Sequence, residues 1–310
     1  MTKLPKGVWP VMLTPFSSDK TIDWEGLDRL TDWYIDSGVA GLFSVCLSSE
    51  IYELTNEERL QLAGRVVNRS GERVPVVAAG TFGGETKDQA DFVRQMADTG
   101  VDAVVAIVCQ LADDSETDQA WKANMEALLE QTGDIPMGLY ECPKPYHRVL
   151  DAEHIRWCTS TGRFLFLKET SGRMELIAEK IEATRNSPLS FYLANTPNLL
   201  STLQEGGDGY SGTGANFIPE LFVWLCSNFA TEPEAAAKVQ RFLSLVHHLA
   251  VYKYPISAKR FLSLLGLGIQ DVCRVSRDPL TDSDVKALNH LKEAVEEIRT
   301  EIGMTEPVAL

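Results

Sequence analysis

The chain reads as α/β: a (β/α)8 TIM barrel with a C-terminal helical appendage. Three observations predict this. Short apolar runs alternate with amphipathic stretches eight times within about 220 residues. Strict alternation implies parallel strands with right-handed crossovers, and eight units of this length fit a barrel better than an open doubly wound sheet. After Pro219 the alternation stops and only helical periodicity remains. This predicts a barrel domain over 1–230 and a helical region over 231–310.

The elements follow in order. Residues 8–13 form a first strand, closed by Thr14-Pro15-Phe16. Asp23 caps a helix to about residue 37, with Leu27, Leu30, Tyr34 and Ile35 on one face, and Gly38 ends it. Residues 40–45 are the second strand, left by the polar loop Leu47-Ser48-Ser49-Glu50. Thr55 and Glu58 make a capping box for the next helix. A third strand spans 74–79, Thr86 caps a helix, and a fourth strand spans 101–108. Then come a helix over 119–130, a strand over 136–140, a helix over 152–159 and a strand at 164–168. A helix over 174–184, a strand over 189–193, a helix over 196–204 and a glycine-rich strand over 209–213 complete the eighth unit. Helices over 221–229, 232–249, 255–265 and 281–302 follow.

At 310 residues the chain can bury one large core. It is 44% apolar and 24% charged, an ordinary globular composition. A net charge of −15 and a pI near 4.8 argue against nucleic acid or an anionic membrane as partner. They leave room for an anionic small substrate, because a local basic group overrides the global field. The six cysteines form no CxxC pair and no zinc-ligand spacing with histidine, so they read as small core residues of a reducing compartment. Residues 1–7 contain no apolar h-region, and no 18-residue apolar run exists, so a cytoplasmic protein is expected.

The chemistry centres on residues 164–172, Phe-Leu-Phe-Leu-Lys-Glu-Thr-Ser-Gly. The four apolar residues suit a strand covered on both faces, which places Lys168 at the strand's carboxyl end. A desolvated ammonium there loses basicity, by two units or more, and the neutral amine can attack a carbonyl. The competing reading is a lysine that caps the strand and reaches to water. Other strand ends supply partners. Tyr140 ends strand five and can carry protons, or it is an interior aromatic with a satisfied hydroxyl. Ser48 and Ser49 leave strand two and can hold a carboxylate, or they form a simple hydroxyl turn. Ser211 sits in the glycine-rich stretch 209–216, where small residues leave room for a ligand. An amine, a phenol and a hydroxyl loop with no metal ligands describe a Schiff-base lyase of a 2-oxo acid, which needs no cofactor. The histidines lie away from the predicted strand ends, which argues against a metal-dependent barrel enzyme.

Six pieces, in order, resemble the dihydrodipicolinate synthase / N-acetylneuraminate lyase family. They are Thr14-Pro15-Phe16; Ser48-Ser49-Glu50 followed by residues 54–59; residues 80–86; Leu139-Tyr140 followed by Pro143; residues 167–172; and residues 206–216. The resemblance runs from about residue 7 to residue 300. It implies a barrel with a three-helix tail and a homotetramer built as a dimer of dimers. It implies that Lys168 bonds pyruvate or a related 2-oxo acid and that Tyr140 relays protons. Ser48, Ser49, Ser211 and Thr14 are the substrate-binding residues expected, and an aldehyde is the expected second partner. The departures bear on the substrate. The family's loop usually reads Gly-Thr-Thr-Gly-Glu, whereas this chain has Leu47 at the first hydroxyl position. The relay tyrosine of the synthases falls in residues 108–112, which carry none. Their distal-carboxylate arginine falls near Pro145, with Lys144 and Arg148 as possible substitutes. These losses argue against dihydrodipicolinate synthase proper. They favour an aldolase or a dehydratase of 2-keto-3-deoxy sugar acids or related hydroxy-keto acids. A binding protein on an inherited barrel is the alternative of a different class.

Overall fold

In a computed structural model the described residues are 2–276 and 278–304, with the backbone alone for 249–251. Met1 and residues 305–310 of the expected helical region lie outside them. Eight short strands alternate with helices: β1 (Gly7–Val8), α1 (Trp24–Asp36), β2 (Leu42–Val45), α2 (Asn56–Ser70), β3 (Val76–Ala79), α3 (Thr86–Ala97), β4 (Ala103–Ile107) and α4 (Asp118–Gln131). The second half continues with β5 (Met137–Tyr140), α5 (Ala152–Ser160), β6 (Phe164–Glu169), α6 (Met174–Thr184), β7 (Ser190–Leu193), α7 (Leu199–Gln204), β8 (Gly209–Tyr210) and α8 (Pro219–Asn228). Three helices follow: α9 (Pro233–Val251), α10 (Ile256–Leu264) and α11 (Asp282–Glu301).

All strands are parallel, in the order β1-β8-β7-β6-β5-β4-β3-β2. The sheet curls until its edges meet. Val11 bridges Phe43 in parallel, Phe43 N donates to Pro10 O at 3.0 Å, and Met12 N donates to Phe43 O at 2.9 Å. The first strand is shorter than the expected 8–13 because Pro10 has no N–H to give the ladder. Its partner β8 is short too. Gly209 lies so close to β1 that a Cβ there would stand 1.8 Å from Gly7 O, so only glycine lets the two strands meet.

The caps explain where helices begin. Asp23, Thr55, Thr117, Asp151 and Thr281 each accept from a first-turn N–H, and Thr55 with Glu58 completes the expected box. Thr86 does not cap: it is the first helical residue, and Glu85 occupies the cap position. The expected helix over 196–204 splits into a 3-10 turn (Thr196–Asn198) and α7, with the Asn195 side chain accepting from Asn198 N at the turn.

The barrel interior is an aromatic cluster. Phe166 packs 4.9 Å from Tyr192, 5.4 Å from Trp9 and 5.5 Å from Phe43, ring centre to ring centre. Side chains alternate along β6, so Phe166 and Lys168 both face inward while Leu167 and Glu169 face the helices. The aromatic cluster is therefore the floor on which Lys168 stands.

Candidate active site

A cavity of about 690 Å³ opens at the carboxyl ends of the strands. Lys168 and Tyr140 line it, and they are direct partners across the β5–β6 ladder. The Lys168 Nζ lies 4.1 Å from the centre of the Tyr140 ring. Lys168 is only 5% exposed. Burial pulls its pKa down to about 8, partly opposed by the Cys46 and Cys142 thiols nearby. Burial pushes the Tyr140 phenol well above its ordinary value, reinforced by Cys142 and Cys46. One group is thus readied to lose its proton near neutrality while its neighbour keeps one.

The loop after β2 forms the adjoining wall. Residues Leu47–Ser49 make a 3-10 turn, and Glu50 follows in the left-handed region at φ 60°. Leu47 and Ser48 line the cavity. Their backbone N–H groups stand at the start of the turn. Ser49 faces the other way: its hydroxyl donates to Met12 O at 2.7 Å and Ser44 O at 3.0 Å. Thr14 sits behind it, donating to Ser49 O at 2.9 Å. Ser211 is fully buried, and its hydroxyl has no hydrogen-bond partner among the described residues. Of the six residues singled out in the sequence, Lys168, Tyr140 and Ser48 meet at the cavity. Ser49, Thr14 and Ser211 lie outside its lining.

The two candidate cations after β5 separate. Lys144 lines the cavity. Arg148 turns away: it binds Asp118 at 2.8 Å and the carbonyls of Asp113 and Glu116 at 3.0 and 2.8 Å. His147, set aside in the sequence for lying off the strand ends, does reach the cavity, and its Nε2 stands 2.8 Å from Thr170 Oγ1. The loop brings it back toward β6, a path that spacing does not encode.

The helical tail contributes wall as well. Tyr254, Pro255 and Val275 line the cavity beside Thr213 and Ala194. Glu50 holds this wall in place. Its Oε1 meets Lys259 Nζ at 2.6 Å, and its Oε2 accepts from Arg274 N at 2.7 Å and Val275 N at 2.8 Å. Tyr52 and Gln110 occupy the other rim, Gln110 Nε2 donating to the Tyr52 hydroxyl at 3.1 Å. None of these tail and rim residues carried a signal in the sequence beyond the motif glutamate, because their neighbours lie on other elements.

No group of three or more His, Cys, Asp or Glu side chains among the described residues is arranged to hold a metal ion. No helix among them is long and apolar enough to cross a membrane.

This geometry has counterparts. The family described as "Dihydrodipicolinate synthetase family" matches residues 4–298. A 4-hydroxy-tetrahydrodipicolinate synthase of Oceanobacillus iheyensis is 28% identical over 283 residues, 91% of this chain and 94% of the relative. One from Haloarcula marismortui is 27% identical over 297 residues, 95% and 94% of the two chains. Among solved structures, a monomeric dihydrodipicolinate synthase variant superposes with a TM-score of 0.85 at 23% identity, over 94% of this chain and 97% of that one. YagE, a prophage protein of the dihydrodipicolinic acid synthase family from E. coli K12 in complex with pyruvate, gives 0.84 at 21% identity, over 94% and 98%. At these identities the structures speak for the fold, and the family match spans nearly the whole chain. The chain belongs to the dihydrodipicolinate synthetase family and is a lyase of the class I aldolase type.

Proposed function

We propose that the protein is a Schiff-base-forming aldolase of pyruvate or a pyruvate-derived 2-oxo acid, such as a 2-keto-3-deoxy sugar acid, acting through Lys168. The supporting observation is a buried amine of pKa about 8 on the cavity floor, beside a phenol that keeps its proton. The neutral amine adds to the keto carbon, and loss of water gives an iminium. That cation accepts the electron pair of the breaking carbon–carbon bond. Tyr140 carries protons to and from the reacting oxygen. Ser48 and the backbone N–H groups at the start of its turn receive the substrate carboxylate, while Ser49 and Thr14 shape that turn. Ser211, buried just past the carboxyl end of β8, is not needed for this step. No cofactor is needed.

A dehydratase that expels hydroxide from the same enamine is the second reading, since it needs no other residue at Lys168. The synthase reaction is less well supported. Leu47 stands at the cavity where the synthases carry a hydroxyl, and the segment after β4 turns through Val108–Gln110 without a tyrosine. A binding protein without turnover fits less well, because nothing in binding requires an amine poised near neutrality. A homotetramer, an aldehyde as second partner, a cytoplasmic location and a division at residue 230 belong to the same proposal.

Borohydride reduction with pyruvate, read by intact mass and peptide mapping, tests it. Reduced pyruvate on the Lys168 peptide is the expected result. An adduct only with a longer 2-oxo acid favours the dehydratase, and no adduct with any 2-oxo acid overturns the enzyme reading.

A further inference from the structure

Asn216 is completely buried between the barrel and the tail. Its Nδ2 lies 2.8 Å from Val11 O and 2.5 Å from the Tyr254 hydroxyl, and its Oδ1 lies 2.6 Å from the Tyr34 hydroxyl. These contacts fix the polarity of the chain. A peptide carbonyl only accepts, so the amide nitrogen must face Val11, and its second N–H is then aimed at Tyr254. The Tyr254 oxygen is therefore an acceptor on that side. Its own proton must leave in another direction, and the cavity lies there: Tyr254 lines it together with Ser48. Burial raises the Tyr254 pKa, which keeps the phenol a donor throughout the working range. The turn that carries Tyr254 is tied down from behind, with Lys253 Nζ 2.9 Å from Pro279 O and 2.8 Å from Asp284 Oδ2.

We propose that Tyr254 is a substrate-binding residue, its hydroxyl donating with Ser48 to the carboxylate of the 2-oxo acid. This rests on the reading that Lys168 binds the keto carbon of that acid. Asn216 sets the direction of the donor, and the helical tail supplies it, so the site is assembled from both ends of the chain. Tyr140 and Tyr254 then divide the work. The first serves the reacting oxygen and the second holds the anionic end.

The test uses the full chain, pyruvate and borohydride, and follows the extent of Lys168 labelling against pyruvate concentration. A hydrogen bond to a charged group contributes roughly 1.5–3 kcal/mol, and each 1.4 kcal/mol is about tenfold in affinity. Tyr254→Phe is expected to raise the half-saturating pyruvate concentration tenfold or more, with full labelling still reached at saturation. Ser48→Ala moves it the same way, and the double variant loses less than the product of the two, since the hydroxyls act on one carboxylate. Should the phenylalanine variant fail to fold, Tyr254→Met carries the same expectation. An unchanged half-saturation overturns the proposal. So does reduced maximal labelling at unchanged half-saturation, which would make Tyr254 a support for Lys168 instead. Absence of labelling in the unaltered protein with pyruvate and with longer 2-oxo acids is a separate result, and it removes the Schiff-base reading itself.

Discussion

Lys180 Nζ lies 2.6 Å from Glu141 Oε1, and neither side chain touches solvent. Lys180 also reaches Glu169 Oε1 at 3.1 Å. The two carboxylates directly follow Tyr140 and Lys168 in the chain, so one ammonium ties together the outer faces of the two strands whose inner faces carry the chemistry. Backbone N–H groups of Leu150 and Thr170, each at 3.0 Å, complete the Glu141 carboxylate. Removing one member of such a buried group leaves an uncompensated charge, at a cost of about 3–5 kcal/mol. Lys180→Met is therefore expected to lower stability by that amount in urea unfolding. A loss below about 1 kcal/mol would mean that the carboxylates relax or bind protons without strain.

The opposite sign is expected at Lys168. Its pKa falls from 10.5 to about 8 on folding, so the folded state carries a buried charge at pH 7 that it would rather lose. Between pH 8 and 10.5 the unfolded chain binds the extra proton, and stability from this group rises with pH in that window. Lys168→Met is expected to stabilise the protein below pH 8, by up to about 3 kcal/mol, while abolishing activity. The gain should shrink as pH rises to 10.5. Thermal melting across pH checks it, and a gain that does not change with pH contradicts the assignment.

Tyr140→Phe separates binding from proton transfer. Loss of a positioned general acid–base group lowers turnover by about 10²–10⁴-fold. Adduct trapping at Lys168 is expected to persist, since the amine and its floor are untouched. Single-turnover kinetics beside borohydride trapping read the two effects apart.

Lys144 and Arg148 differ in what they can do for a second substrate. Lys144 is at the cavity with no ion pair recorded among the described residues, whereas the Arg148 guanidinium is held by Asp118, Asp113 and Glu116. Lys144→Ala is expected to raise KM for an aldehyde bearing a carboxylate about tenfold, the scale of one exposed charge-assisted contact, and to leave a neutral aldehyde unchanged. Arg148→Ala should leave the ratio of the two KM values alone. A change of that ratio in the arginine variant would reverse the assignment.

The sequence made the barrel legible because its signals are local. The apolar run at 164–167, the box at Thr55 and Glu58, and the cap at Asp23 each depend on neighbours within a few residues. Lys168 and Tyr140 could be placed because a strand end is where a barrel exposes inward side chains. Ser48 and Ser49 could not be told apart, since which of two adjacent hydroxyls faces the cavity depends on the turn that follows, and that turn is held by Lys259 and Arg274 from far away in the chain. His147 and Tyr254 were hidden for the same reason. Their positions come from how a loop returns and how a tail docks, and neither leaves a periodic trace.

The seam between β1 and β8 has a consequence for synthesis. Gly7 and Val8 pair with Gly209 and Tyr210, so the first strand gains its second neighbour only when the last strand has been made. Until residue 210 leaves the ribosome, a growing chain has a curled sheet with open parallel edges, and pairings of this sequence separation are slow to form. Such edges are templates for foreign strands. Keeping β1 and β8 to two residues each leaves little edge to misuse during that interval.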